Sequence, residues 1–348
     1  MSKMIVLGAG VMGSAFCFPP ADGGQEVHLV GTPLDIEIIK ELKRSRIHPK
    51  LKMELPKQVQ FYDFEELGNI ISDLPDLIVI GVSSAGVDWA LELLGTLLKQ
   101  PVPLLMLTKG LTVTEQGLSI LPVYAAERLK QMGAGVFSVG AVGGPCIAGE
   151  LAARRETRVT FGSPDAKQFP WLDAMFRSNY YHINFTTDLT GLELCAAMKN
   201  FYALGVGVPS GQLAVAETAA NAAQMHNPSA GLFTEAVREM GLLVDFMKGD
   251  QTNVYGLAGV GDLYVTCQAG RNSRMGRLLG EGMLYCEAKN EKMRDETVEG
   301  AELALAIGPH LERLFDNGTL DETQFPLTRA IIRSICYNQR MEIPWASF

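Results

Sequence analysis

The stretch "GAGVMGSAFCFPPADGGQEVHLVG", residues 8 to 31, decides how the rest of the chain is read. Gly8, Gly10 and Gly13 follow a short apolar run, Met4 to Leu7. Their G-x-G-x-x-G spacing supplies a tight turn, a close backbone approach to a pyrophosphate, and close packing of helix on strand. A second β-branched run, Glu26 to Val30, comes at the distance a βαβ unit requires. The obstacle is Pro19-Pro20. A proline at position 19 loses the bond to the carbonyl of Ala15 and clashes with it, at a cost of roughly 3 kcal/mol inside a helix. The helix is therefore expected to kink or stop near Phe18. Anion binding needs only the free N–H groups and dipole of the first turn, so about two turns from Val11 suffice. An NAD site usually carries an acid at the end of the second strand. Here Val30-Gly31-Thr32-Pro33 offers only the Thr32 hydroxyl, and Asp35 lies slightly too far along, so NAD and NADP both stay open.

Outward from this stretch, Leu77 to Val82, Leu104 to Leu107 and Val136 to Val139 read as further strands. They alternate with helical patterns at 34–46 and 87–100. That rhythm predicts a doubly wound, Rossmann-type parallel sheet. From about residue 188 the text turns into long helical stretches. The boundary is placed near Thr187, where Thr190 and Glu193 are spaced as a capping box. The expected organisation is α/β: a dinucleotide-binding domain over 1–187 and an all-helical substrate domain over 188–348.

Composition narrows the function classes. The net charge of −9 argues against a general nucleic-acid or membrane-surface binder. The six cysteines contain no C-x-x-C pair, so neither a metal site nor a disulfide framework is expected, and reduced thiols in a cytoplasmic setting follow. No apolar run approaches the roughly 18 residues of a membrane span.

Three later stretches set polar residues in apolar text. In "LLMLTKGL", Lys109 follows a strand at its carboxyl end, the edge where ligands of open α/β sheets bind. In "DLTGLELCAAMKNFYALGVG", Lys199 shares a helical stripe with Leu192, Cys195, Ala196 and Ala203, and burial of an amine disfavours its charged form. In "GLAGVGDLYVTCQAGRNSRMG", glycines surround Asp262, and Thr266, Arg271 and Asn272 follow; a guanidinium beside an amide suits a phosphate or carboxylate. A surface lysine, a snorkelling lysine and a polar helix cap are the bland alternatives. With a dinucleotide fingerprint upstream, an anionic substrate is the better reading.

The ordered blocks "GAGVMGSA", "TKGL", "GGPCIAGEL", "GLELCAAMKNFYALGVG", "GLAGVGDLYVTC", "GRNSRMG" and "TVEG" resemble the NAD(P)-dependent glycerol-3-phosphate dehydrogenases. The resemblance implies reversible hydride transfer between NAD or NADP and C2 of a three-carbon phosphate, interconverting dihydroxyacetone phosphate and sn-glycerol 3-phosphate. It implies Lys199 as proton donor and acceptor, with Asp262 relaying to it and Lys109 beside the substrate. Gly144, Cys146, Asn200, Thr266, Gly270, Arg271 and Asn272 match substrate positions. Gly8, Gly10, Val11, Met12, Gly13, Thr32, Lys109, Ala148, Arg271, Thr297 and Glu299 match cofactor positions. A homodimer serving glycerophospholipid synthesis is also implied. The stretch "VPSGQLAVAETAANAAQMHNPSAG" and the residues after Thr234 depart from the family pattern, with Asn227 as a candidate match to its loop asparagine. Two alternatives are a related dehydrogenase of another anionic hydroxy acid, such as ketopantoate, and a dinucleotide sensor without turnover.

Overall fold

The computed structural model describes residues 1–216, 224–268 and 270–348. Residues 217–223, inside the departing stretch, lie outside the described residues. The chain forms two compact units, Met1–Lys109 with Leu121–Leu192, and Gly110–Ile120 with Glu193–Phe348.

The first unit is built on an eight-stranded sheet of β1 (Lys3–Leu7), β2 (Glu26–Val30), β3 (Val59–Tyr62), β4 (Leu77–Ile80), β5 (Leu104–Met106), β8 (Val139–Gly143), β9 (Thr157–Gly162) and β10 (Tyr181–Thr186). The intervening β6 (Leu111–Thr114) and β7 (Gly117–Ile120) form an antiparallel hairpin belonging to the second unit. The sheet order is β10-β9-β8-β5-β4-β1-β2-β3. Strand order reverses beside β1, which is where an open α/β sheet leaves a crevice for ligand. Successive residues of β1 serve opposite faces: Met4 and Val6 enter one apolar cluster, Ile5 and Leu7 the other. All four are fully buried, as expected of a strand covered on both sides.

Two expectations about the sheet are corrected. The strand placed at Val136 to Val139 runs instead from Val139 to Gly143, because Gly133 and Gly135, both at positive φ, hold the preceding residues in turns. The sheet is not wholly parallel either: β9 runs antiparallel to β8 and then pairs in parallel with β10.

The prolines resolve locally. The helix after the glycines spans Val11–Phe16, Cys17 interrupts it, and a second helix spans Phe18–Asp22. Pro19 and Pro20 fall in the first turn of that second helix, where the missing N–H groups would have had no intrahelical acceptor. Phe16 seats against Phe176 at 4.9 Å between ring centroids, so the interruption lies in a packed aromatic cluster with Phe161 and Tyr181.

The second unit is helical around Leu189–Val215, a helix of 27 residues. Its start corrects the expected capping box. Asp188 accepts the Gly191 N–H at 3.0 Å and so caps the helix, while Thr190 lies within the first turn and Glu193 is fully buried. The single apolar stripe assigned to this helix is also corrected: Leu192 through Lys199 are buried without a break, so it is enclosed on all sides rather than amphipathic.

Glu239, fully buried in the helix His226–Phe246, caps the helix Pro326–Cys336. It accepts Leu327 N–H at 2.7 Å, Thr328 N–H at 2.8 Å and the Thr328 hydroxyl at 2.5 Å. Burial outweighs these bonds and pushes its carboxyl from 4.5 up to about 8. A carboxyl raised on folding contributes stability below its unfolded value, and that contribution is lost as pH rises through the folded value. The thermal midpoint is therefore expected to fall between about pH 5 and pH 8 more steeply than in Glu239→Gln, as read by calorimetry. Equal slopes would refute the assignment.

Candidate functional site

In the first unit, β8, β5, β4 and β1 are successive parallel neighbours, so their carboxyl ends share one edge. That edge brings together the Gly8 turn, Lys109 after β5, and the Gly144 to Cys146 turn after β8. Gly8 holds φ at 114°, and a Cβ there would meet the Gly81 carbonyl oxygen at 2.7 Å. A Cβ on Gly13 would lie 2.1 Å from the Gly8 oxygen, so helix and turn touch backbone to backbone. A Cβ on Gly10 would meet nothing within 4 Å. Open space over Gly10, beside the first-turn N–H groups of Val11, Met12 and Gly13, could hold a pyrophosphate. Ala148 opens the short helix Ala148–Ala152, which packs on Val11–Phe16.

Thr32 and Asp35 behave differently from the sequence reading. Asp35 Oδ2 accepts the Thr32 hydroxyl at 2.8 Å, the Thr32 N–H at 3.0 Å and the Ala9 N–H at 3.1 Å. The acid set aside as too far along thus turns back into the fingerprint. Its signal was faint, because its partners are mostly backbone groups.

In the second unit, Lys199 is 8% exposed, and its Nζ donates to Asp262 Oδ1 at 2.5 Å. Burial is therefore only half of this lysine's environment; a carboxylate answers its charge. Asp262 is delivered by a π-turn at Leu257–Gly261 that feeds the helix Asp262–Gln268. Inside it, a Cβ on Gly259 would meet the Val254 oxygen at 2.0 Å. Such turns break the regular ladder and re-aim the residue that follows. The Thr266 hydroxyl donates to the Asp262 carbonyl at 2.7 Å, which leaves its oxygen to act as an acceptor.

Asn200, Asn272 and Gly300 form a directed chain. The Gly300 N–H donates to Asn272 Oδ1 at 2.9 Å, and Asn272 Nδ2 donates to Asn200 Oδ1 at 2.9 Å. The backbone donor fixes the Asn272 amide, which in turn fixes that of Asn200, leaving Asn200 Nδ2 as the donating end. Gly270 is the extended residue before the helix Arg271–Gly280, and Arg271 pairs with Glu299. Thr297 and Glu299 flank the start of Glu299–Asp316. The second unit thus gathers Lys199, Asn200, Asp262, Thr266, Arg271, Asn272 and Glu299, whereas Asn227 lies in the helix His226–Phe246.

A glycine cradle at the switch point of a doubly wound sheet, with a helical unit carrying a buried lysine–carboxylate pair, defines a dinucleotide-dependent oxidoreductase. Residues 3–169 match the family model for the N-terminus of NAD-dependent glycerol-3-phosphate dehydrogenase, and residues 188–343 match the model for its C-terminus. The chain belongs to this family. An NADP(+)-dependent glycerol-3-phosphate dehydrogenase of Archaeoglobus fulgidus is 34% identical over 289 residues, 83% of each chain. A glycerol-3-phosphate dehydrogenase [NAD(P)+] of Shouchella clausii is 30% identical, covering 97% of this chain and 92% of its own. The crystal structure of glycerol-3-phosphate dehydrogenase from Coxiella burnetii matches the fold with a TM-score of 0.80 at 24% identity, over 99% of this chain and 97% of that one. Among the described residues, no helix is long and apolar enough to cross a membrane.

Proposed function

We propose that this oxidoreductase reduces dihydroxyacetone phosphate reversibly to sn-glycerol 3-phosphate with NADH or NADPH, and that Lys199 carries the proton. The observation that supports this most directly is the buried Lys199 Nζ, 2.5 Å from Asp262. A ketone becoming an alkoxide needs a proton at its oxygen and a cation beside it until the proton arrives. An ammonium supplies both, and Asp262 keeps it oriented and accepts its charge. The bound nicotinamide supplies the hydride. Asn200 Nδ2 donates to a substrate hydroxyl, Thr266 Oγ1 accepts from one, and Arg271 with Asn272 grips the phosphate. By the family resemblance, Lys109, Gly144 and Cys146 are further substrate positions, and Gly8 to Gly13, Thr32, Ala148, Thr297 and Glu299 are dinucleotide positions.

On this reading residues 1–187 carry the dinucleotide fingerprint and 188–348 carry the proton-transferring lysine, with the hairpin segment 110–120 belonging to the second unit. The enzyme works in the cytoplasm as a homodimer that supplies glycerophospholipid synthesis. The test is a spectrophotometric assay of the purified chain with dihydroxyacetone phosphate and NADH or NADPH separately. Oxidation of either cofactor is expected. No turnover with this substrate, but turnover with another anionic keto acid, would transfer the reading to a related dehydrogenase. Binding without any turnover would make the protein a sensor.

A further inference from the structure

One residue of the fingerprint is held by two side chains distant in sequence. Ala9, between the first two glycines, is fully buried. Its N–H donates to Asp35 Oδ2 at 3.1 Å, and its carbonyl accepts from His48 Nε2 at 3.0 Å and from the Ser14 hydroxyl at 3.2 Å. His48 is itself fully buried, in a turn closed by the Ile47–Glu54 bridge. Its other ring nitrogen, Nδ1, accepts the N–H groups of Lys50 and Leu51, each at 3.1 Å. Two donors at Nδ1 assign the ring proton to Nε2, the atom facing Ala9. Burial, the largest influence, holds the imidazole below its ordinary range, against the pull of the Ala9 carbonyl and Asp35. The neutral ring is the form this arrangement uses.

We propose that Asp35 and His48 are positioning residues of the dinucleotide site: they clamp the two polar ends of Ala9, and through Asp35 they lock the fingerprint turn to Thr32 at the end of β2. The proposal rests on dinucleotide binding at the fingerprint and goes beyond it by naming what holds the site in shape. A single carboxylate oxygen, Asp35 Oδ2, accepts from both Ala9 and Thr32. The pyrophosphate-facing turn and the ribose-facing residue therefore keep one spacing. Because the Ala9 N–H is engaged, the donors left for phosphate run from Gly10 into the first turn of Val11–Phe16. Their direction is set by the peptide that His48 and Asp35 hold, and small displacements of such donors are costly.

The test uses the full chain with Asp35→Ala, Asp35→Asn, His48→Ala and His48→Gln, reading Kd for NADH and NADPH by nicotinamide fluorescence, and KM and kcat for dihydroxyacetone phosphate at saturating cofactor. The alanine variants are expected to weaken both cofactors by about tenfold or more, as expected when a buried polar partner is lost, with substrate KM changed less than about twofold. Asparagine at 35 keeps an oxygen for the donors, and glutamine at 48 keeps an N–H for Ala9. Both are expected to recover most of the loss, which a general loss of stability would not allow. The pair should also be less than additive in the double alanine variant, because both act on one residue. Cofactor Kd unchanged in folded alanine variants, or substrate KM rising as much as Kd, would overturn the proposal. If an alanine variant does not fold, failure of both asparagine and glutamine to bind cofactor better than non-cognate substitutions at the same positions would overturn it instead. Wild-type protein that binds neither dinucleotide would refute the underlying reading and not this clamp alone.

Discussion

Replacing Lys199 with alanine is expected to abolish reduction of dihydroxyacetone phosphate while leaving the dissociation constant of NADH or NADPH within about twofold of wild type. The expected loss in kcat is about 100- to 10,000-fold, the range in which a positioned general acid contributes. Stability must be read in parallel. Removing one member of a buried ion pair costs about 3 to 5 kcal/mol, a large part of the roughly 5 to 15 kcal/mol that keeps a domain folded. Asp262 is more deeply buried than its partner, so Lys199→Ala threatens the helical unit as well as the chemistry. Lys199→Met fills the same space and serves as a second variant. Lost turnover with retained cofactor binding and a cooperative thermal transition would place the effect in the chemical step; normal turnover would end the proton-transfer role.

Arg271→Ala is expected to raise the KM for dihydroxyacetone phosphate more than tenfold. The structure explains why this arginine can exchange partners. Arg271 and Glu299 are both substantially exposed, 46% and 39% at the side chain. Exposed pairs contribute only about 0.2 to 1 kcal/mol, so a phosphate dianion offering two acceptor oxygens to the guanidinium fork can compete for Arg271. Arg271→Lys keeps the charge and loses the fork, and an intermediate KM is expected. Glu299→Gln removes only the resting partner and should leave the substrate KM near wild type while affecting cofactor affinity. A normal KM in Arg271→Ala would remove the phosphate assignment.

How much of this was legible beforehand depends on what kind of force fixes each residue. The glycine fingerprint was readable because Gly8 and Gly13 answer backbone demands that no other residue meets, and Pro19-Pro20 were readable as a break for the same reason. The capping signal was read two residues late, because Asp188 and Thr190 are both good caps and only the structure shows which carboxylate or hydroxyl meets a free N–H. Lys199 was conspicuous as a cation in apolar text, but the stripe argument described the wrong geometry: a helix buried all round carries no face to detect. Asp262 was picked out by its glycines, but its pairing with Lys199, 63 residues away, came only from the family resemblance and from no spacing in the chain. His48 left no pattern at all. A single histidine before a proline says nothing about a carbonyl 39 residues upstream.

The β6–β7 hairpin carries a consequence for how the chain is made. Residues 111–120 leave the ribosome early, yet β6 packs on the helix that begins at Glu299. Until that helix is synthesised the hairpin lacks this packing surface, and an isolated two-stranded hairpin is marginal in water. The first unit can mature during translation while this short segment waits, with unpaired strand edges that other chains could join. Completion of the helical unit is therefore a late event that depends on the residues from Glu299 onward, and truncations that spare Lys199 and Asp262 but remove Glu299–Asp316 should leave the hairpin exposed as well.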